Sequence, residues 1–222
     1  MAGHYVITDI QEAEETVLVS VTPLMQAAHE GSATTPPVGV TGLLLVGGGS
    51  RRFGSPKALA RLGGETLAER AWSALAWCDE RFAVGKAVDG LLLPFRVVDD
   101  GSPVRAPLAG VVAGLRLASN DLVVVLPVDC PRITPDALKR LVAACEDVAV
   151  PQSGPLPGAY HRRTLPVLEE RLASGELALR DALAALAVRV VPLDSAVLAN
   201  VNTREDLERL EALMRREAQS GG

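Results

Sequence analysis

The residues best suited to chemistry lie in one run, Leu43–Lys57, which reads Leu-Leu-Leu-Val-Gly-Gly-Gly-Ser-Arg-Arg-Phe-Gly-Ser-Pro-Lys. An apolar stretch from Val40 to Val46 stops at Gly47-Gly48-Gly49, and Arg51, Arg52 and Lys57 follow in the same loop. Glycine lets a backbone turn sharply and bring its N–H groups against an anion. The guanidinium and ammonium groups add the cations that a polyphosphate needs. This combination reads as a phosphate cradle. Spacing excludes two other glycine loops. A dinucleotide fingerprint beginning at Gly47 needs glycine where Arg52 stands, and a Walker A loop ending at Gly54 needs Lys-Ser/Thr where Ser55-Pro56 stands. Pro56 also restrains Ser55 to extended geometry, so no helix runs straight out of the loop.

Carboxylates come next. Leu122–Leu126, with Val123, Val124 and Val125, is a β-branched run that delivers Pro127-Val128-Asp129-Cys130-Pro131. An acid at the tip of a buried strand is costly unless it meets a cation. Mg²⁺ bridging phosphates needs one or two protein carboxylates, so Asp129 alone suffices as the metal ligand. A capping role for Asp129 is weaker, because Thr134-Pro135 already supplies an N-cap and a proline at the first helical position. Asp99-Asp100 ends a strand at the edge where open α/β sheets bind ligands, or else forms a solvated turn before Gly101-Ser102-Pro103. Cys130, with no partner base in view, reads as packing. His161 is not needed as a base, since a phosphate nucleophile is already anionic at neutral pH. Arg162 and Arg163 either meet a second substrate's phosphate or are solvated, and the second is preferred.

The elements that position these groups alternate. A short apolar run closed by glycine suits a strand buried on both faces, as in a parallel sheet. Strands are expected at 40–46, 81–84, 95–98, 122–126, 148–150, 158–161 and 187–191. Helices are expected at 67–77, 111–118, 134–145, 165–173, 177–186 and 204–217. The small residues of the 111–118 helix would permit close approach to a base or ribose. Thr66 or Glu65 opens the first helix, and Thr203 with Asp206 forms a variant capping box at the last. Trp72 and Trp77 read as packing residues. The fold expected is a three-layer α/β sandwich with a mostly parallel sheet and its site along the strand C-terminal edge.

Composition narrows the setting. The 222 residues are 48% hydrophobic but only 3% aromatic, which implies a Leu/Val/Ala core. A net charge of -5 argues against a general nucleic-acid binder and makes the basic loop a local feature. Cys78, Cys130 and Cys145 have no metal-ligand spacing, which points to reduced thiols. No apolar run approaches a membrane span and the start lacks a secretion signal, so the expected setting is cytoplasmic. Residues 1–38 differ from the rest. Tyr5–Ile10 and Thr16–Thr22 could form strands, but Ala33-Thr-Thr-Pro-Pro37 is a linker-like break. The stretch reads as a flexible N-terminal extension, or a start assigned too far upstream, before a catalytic domain at 39–222.

The ordered motifs resemble a known family. Leu45-Val46-Gly47-Gly48-x-Ser50-x-Arg52-Phe53-Gly54-x-x-Lys57 is similar to the signature of nucleotidyltransferases related to molybdenum cofactor guanylyltransferase. Asp99-Asp100 with Pro107-Leu108-Ala109-Gly110, then Asp129-Cys130-Pro131, then Asn200-Val201-Asn202-Thr203 follow in the same order. The resemblance runs from about Val40 to the last helix. It implies the Rossmann-like fold of nucleotide-diphospho-sugar transferases and transfer of GMP from GTP to Mo-molybdopterin, with Mg²⁺ as cofactor and pyrophosphate as product. It further implies that Leu45, Val46, Gly47, Gly48, Lys57, Asp100 and Asp129 bind GTP. Lys57, Arg52 and Asp129 would be catalytic, and Asn200 and Asn202 would line the molybdopterin pocket. Transient contact with molybdenum-insertion or acceptor molybdoenzyme proteins is implied; nucleic-acid and membrane partners are not. The family places an asparagine contact where Gly85-Lys86 stands here. Val46, Phe53 and Pro56 replace its usual alanine, methionine and aspartate. Pro56-Lys57 looks more like the sister cytidylyltransferases, whereas Gly47, Pro-Leu-Ala-Gly and Asn-x-Asn-Thr look like the guanylyl branch, and the balance favours guanine. The alternatives are a cytidylyltransferase of the same cofactor, a sugar-phosphate nucleotidyltransferase, or a nucleotide-binding module without chemistry.

Overall fold

A computed structural model of the chain describes residues 5–13, 16–23, 39–47 and 53–220. Gly48, Gly49, Ser50, Arg51 and Arg52 of the cradle loop lie outside the described residues. The chain divides into two units, Met1–Pro37 and Val38–Gly222. In the first, β1 (Tyr5–Ala13) pairs antiparallel with β2 (Thr16–Pro23), in register from Tyr5↔Pro23 to Ala13↔Thr16 with one irregularity after Ile7. Both strands run longer than or as far as the alternation in the sequence suggests.

The second unit is built on β3 (Val40–Leu45), every residue of which is buried. Two short strands, β4 (Arg61–Leu62) and β5 (Glu65–Thr66), form a small hairpin before α1 (Leu67–Ala74). Then come β6 (Glu80–Gly85), β7 (Val97–Asp99), α2 (Pro107–Leu117), β8 (Leu122–Pro127) and α3 (Pro135–Ala143). The chain continues through β9 (Val148–Pro151), β10 (Gly158–His161), α4 (Leu165–Ala173), α5 (Leu179–Ala182), β11 (Val188–Val191) and α6 (Arg204–Ser220). The main sheet has the order β11-β9-β10-β8-β3-β6-β7. Every pairing in it is parallel except the two made by β10.

Alternation along the central strands sorts the core into two layers. Leu44, Val46, Val124 and Leu126 point to one face, where Leu67, Ala71 and Leu75 of the α1 region and Leu138 and Leu141 of α3 cover them. Leu43, Leu45, Val123 and Val125 point to the other, under Leu108, Val111 and Leu115 of α2 and Leu168 of α4. The sandwich therefore has its three expected layers, and each such leucine contributes about 1.5–3 kcal/mol by leaving water.

Several boundaries differ from expectation for identifiable reasons. α1 stops at Ala74 because tighter i→i+3 bonds, Ala76 N to Ser73 O and Cys78 N to Leu75 O, both 3.1 Å, turn the chain into β6. Thr66 caps it, with Oγ1 accepting from Glu69 N at 3.1 Å and Glu69 Oε2 accepting from Thr66 N at 2.8 Å. α2 starts at Pro107 rather than four residues later, since proline at the first helical position costs no hydrogen bond. The close approach made by its small residues is chiefly to β3. A Cβ on Gly114 would lie 2.1 Å from Leu43 Cδ2, and one on Gly110 would lie 2.8 Å from Leu45 Cδ2. The stretch expected as one helix at 177–186 is the single turn α5 followed by a 3₁₀ turn, Leu183–Ala185. Trp72 stacks on Phe95 with ring centroids 4.2 Å apart, and the Arg81 guanidinium lies 4.5 Å over the same ring.

Candidate active site at the C-terminal edge of the sheet

The parallel strands β3, β6, β7 and β8 all end at one edge. Pairing continues one step past β3, as Val46 N donates to Val84 O and Val128 N donates to Leu45 O. The Val46 N–H is thereby spent within the sheet, so Leu45 and Val46 serve as cavity wall and Gly47 is the first residue to leave it. A Cβ on Gly47 would come within 3.1 Å of Gly85 Cα, so the two strand ends meet glycine to glycine.

Lys57 opens a 3₁₀ turn, Lys57–Leu59, after extended Pro56. Its Nζ donates to Asn202 Oδ1 at 3.2 Å and faces Asp129 Oδ2 at 3.5 Å. Asp129 follows β8, and its carbonyl accepts from Val201 N at 2.9 Å, which fastens the Asn200–Asn202 segment beside it. Asn200 Oδ1 accepts from Cys130 Sγ at 3.0 Å. Four expected site residues, Lys57, Asp129, Asn200 and Asn202, are thus brought together. Lys57, Asp129 and Asn200 border a cavity of about 320 Å³ that also reaches Leu45, Gly47 and Pro107. Asp206 Oδ2 accepts from Thr203 N at 2.9 Å and Thr203 Oγ1 accepts from Asp206 N at 3.1 Å, completing the capping box that launches α6. Arg204 Nε donates to Phe53 O at 3.2 Å, tying that segment to the far end of the cradle loop. Burial and the adjacent Asp129 charge push the Cys130 thiol far above the thiolate range, in keeping with a packing role.

Asp129 is the group fitted to a divalent cation. Its side chain is 28% exposed toward the cavity. No cluster of three or more His, Cys, Asp or Glu side chains suited to holding a metal occurs among the described residues. One carboxylate supplemented by phosphate oxygens suits a divalent cation carried on a nucleotide better than a metal caged by protein alone.

A second cavity of about 180 Å³ adjoins the first, and the two share Leu45, Gly47 and Pro107. Asp100 lines it, and so does Lys86, which stands where the family resemblance places an asparagine contact. Lys86 Nζ donates to Asp100 Oδ1 at 2.6 Å and also to Ser102 O. Their side chains are 9% and 8% exposed. Asp99 turns away, and hydrogen bonds from the Ala87 and Gly101 N–H groups hold its carboxyl below the usual carboxylate range. Arg105, also on the cavity wall, grips Asp89 with both guanidinium nitrogens, at 3.0 and 2.6 Å. Applying the strand-edge rule to Gly85 at the end of β6, as to Asp100 beyond β7, is the signal that finds Lys86.

The other candidates fall away from this edge. β10 runs antiparallel to β8, so His161 pairs with Leu122 at the start of β8, opposite the Asp129 end. Its Nδ1 accepts from Arg163 N at 3.2 Å. Arg163 Nε donates to Asp147 Oδ1 at 2.7 Å, and Arg162 N donates to Asp121 O at 2.7 Å, at the same far end.

Comparison with known proteins agrees with this geometry. The MobA-like NTP transferase domain matches residues 42–190. A molybdenum cofactor guanylyltransferase of Cereibacter sphaeroides is 35% identical, over 80% of this chain and 98% of its own. One from Desulfosudis oleivorans is 31% identical, over 79% of this chain and 96% of its own. The crystal structure of molybdopterin-guanine dinucleotide biosynthesis protein A from Archaeoglobus fulgidus superposes with a TM-score of 0.69 at 25% identity, covering 79% of this chain and 99% of that one. With the family domain spanning most of the sheet, the chain belongs to the MobA-like NTP transferases, the nucleotidyltransferase family that includes the molybdenum cofactor guanylyltransferases.

Proposed function

We propose that the chain transfers GMP from GTP to the terminal phosphate of Mo-molybdopterin, giving the guanine dinucleotide form of the cofactor and pyrophosphate. An oxygen of the molybdopterin phosphate forms a bond to the α-phosphorus as the bond to the β-phosphate oxygen breaks, and pyrophosphate carries away the electron pair. The observation that carries this reading is the Lys57–Asp129 pair, a cation and a carboxylate 3.5 Å apart at the mouth of a cavity that runs on into a second one. A nucleoside triphosphate needs both: a cation on the departing phosphates and a carboxylate for the metal that accompanies them.

In this arrangement Lys57 holds the β- and γ-phosphates and stabilises charge as it builds on pyrophosphate, while Asp129 would hold the divalent cation that accompanies them. Mg²⁺ held there would neutralise charge on the phosphates. By their place in the sequence motif, Gly47, Gly48 and Arg52 would add further phosphate contacts. Asp100 faces the base. Asn200 and Asn202 would line the molybdopterin pocket, a reading supported by the hydrogen bond from the Lys57 ammonium to Asn202. The chemistry is assigned to residues 39–222, with residues 1–38 as an appendage. The three cysteines stand as thiols, which supports a reducing, cytoplasmic setting.

The test is metal-dependent pyrophosphate release by the purified full-length chain with Mo-molybdopterin, with GTP and CTP offered in parallel. Release with GTP that Asp129→Ala abolishes is expected. Release with CTP alone would move the reaction to cytidylyl transfer. Silence with both, despite GTP binding, would overturn the catalytic reading.

A further inference from the structure

We propose that Arg204, at the start of α6, is a positioning residue for the triphosphate, acting through the backbone at the far end of the cradle loop. This rests on the proposed reading that a nucleoside triphosphate lies along the Gly47–Lys57 loop. Between Phe53 and Lys57 the chain is exposed at Gly54, Ser55 and Pro56. Phe53 itself is 3% exposed and belongs to the core layer that α1 and α3 cover. Its carbonyl, however, is held from outside the loop: Arg204 Nε donates to Phe53 O at 3.2 Å, from 151 positions away. Lys57 is held by the same segment, with Nζ donating to Asn202 Oδ1 at 3.2 Å. The loop end is thus clamped on both sides of its exposed stretch.

The clamp matters because of the residue that follows Phe53. Gly54 has φ +73°, and glycine adopts either sign of φ about equally well. Nothing intrinsic to Gly54 therefore stops the Phe53–Gly54 peptide from turning over. An anion cradle works by aiming N–H groups inward and carbonyls outward, and a peptide that turned over would bring a carbonyl toward the phosphates. The guanidinium fixes which way this carbonyl faces. Its own mount is rigid. Asp206 Oδ2 accepts from Asn202 N at 3.0 Å and from Thr203 N at 2.9 Å, and Val201 N donates to Asp129 O at 2.9 Å. The segment that clamps the loop is therefore the one pinned to the carboxylate fitted to the cation. Through it, Arg204 sets the loop end at a fixed spacing from Asp129, the two sides between which the triphosphate lies. Core burial of the Phe53 ring cannot do this, since it anchors the side chain and leaves the peptide plane free.

Equilibrium binding of GTP and GMP to the full-length chain, at one Mg²⁺ concentration, tests this without the second substrate. GMP lacks the two phosphates that the loop end would hold. Arg204→Met keeps the aliphatic stem and removes the donor, so GTP should weaken about fivefold while GMP stays within about twofold. Two more variants separate the hydrogen bond from the charge. Arg204→Gln places an amide N–H at the atom position of Nε and drops the charge, whereas Arg204→Lys keeps the charge and puts a methylene there. Glutamine should restore GTP binding to within about twofold of wild type, and lysine should not. Unchanged GTP binding in Arg204→Met would overturn the proposal. So would equal weakening of GTP and GMP, which makes Arg204 a general staple of α6, and so would rescue by lysine but not glutamine, which makes it a distant charge. Each of these leaves GTP binding by the wild type, and the proposed reaction, standing. A wild type that binds GTP no better than GMP would overturn the placement of the triphosphate and this inference with it.

Discussion

Replacing Lys57 by alanine separates the proposed catalytic role from an architectural one, because the two carry very different magnitudes. In the protein without substrate, Nζ lies 3.2 Å from Asn202 Oδ1 and 3.5 Å from Asp129 Oδ2, and the aspartate side chain is 28% exposed. With the Lys57 side chain 15% exposed and a separation of 3.5 Å, the pair is long and partly screened and contributes on the order of 1 kcal/mol. In a domain of this size that amounts to about 2–4 °C in Tm. In the proposed transition state the same ammonium would face charge accumulating on the departing pyrophosphate. Loss of one such preorganised contact lowers kcat by about 10²–10³. The assay is steady-state pyrophosphate release at saturating GTP and Mg²⁺, with a thermal melt of the same preparation. Lys57→Ala should melt within a few degrees of wild type and turn over at roughly a hundredth of its rate or less. Lys57→Arg should recover part of that rate, since the charge is kept but its compact point-like form is not. A kcat within about twofold of wild type in Lys57→Ala would refute the role. A collapse of the melt would reassign Lys57 to holding the Asn200–Asn202 segment in place.

Two further outcomes follow from the packing and the charges. Gly114→Ala would set a Cβ 2.1 Å from Leu43 Cδ2 in a fully buried layer, so overpacking should cost about 1–3 kcal/mol; a melt equal to or above wild type would contradict the flush seat of α2 on β3. The hydrogen bond from Arg105 holds Asp89 below the usual carboxylate range in the folded protein. The stability it gives is therefore whole above the unfolded carboxylate pKa of about 3.9 and is lost as pH falls through the folded value. Asp89→Asn should accordingly melt below wild type at neutral pH, with the gap closing below about pH 4. A gap that stays constant or widens on acidification would contradict that account.

How far the sequence announces this site depends on whether a residue's meaning is local. The phosphate end is local: glycines, cations and Lys57 occur in one run, and Asp129 ends an unmistakable β-branched strand. The layered core is legible for the same reason, since Val123, Val124 and Val125 are buried on both faces and show it as an unbroken apolar run. The reach of α1 and α5 is not, because i→i+3 bonds, rather than composition, end those helices early. The end remote from Asp129 is equally hidden. Nothing in the residues around His161 tells that β10 runs against its neighbours and carries that histidine to the wrong edge. Lys86 is the hardest case. Its pairing with Asp100 depends on β6 lying beside β7, an adjacency that brings residue 86 against residue 100 and leaves no mark in either stretch alone. The two charged pairs of the cleft are physically unlike, and that difference bears on how each works. Lys57–Asp129 is long and partly wet, so incoming phosphates and metal can exchange for its partners at little cost. Lys86–Asp100 is short and dry, and separating it would strand a charge at a cost of about 3–5 kcal/mol. The inner pair therefore stays closed, whereas the outer pair can exchange its partners.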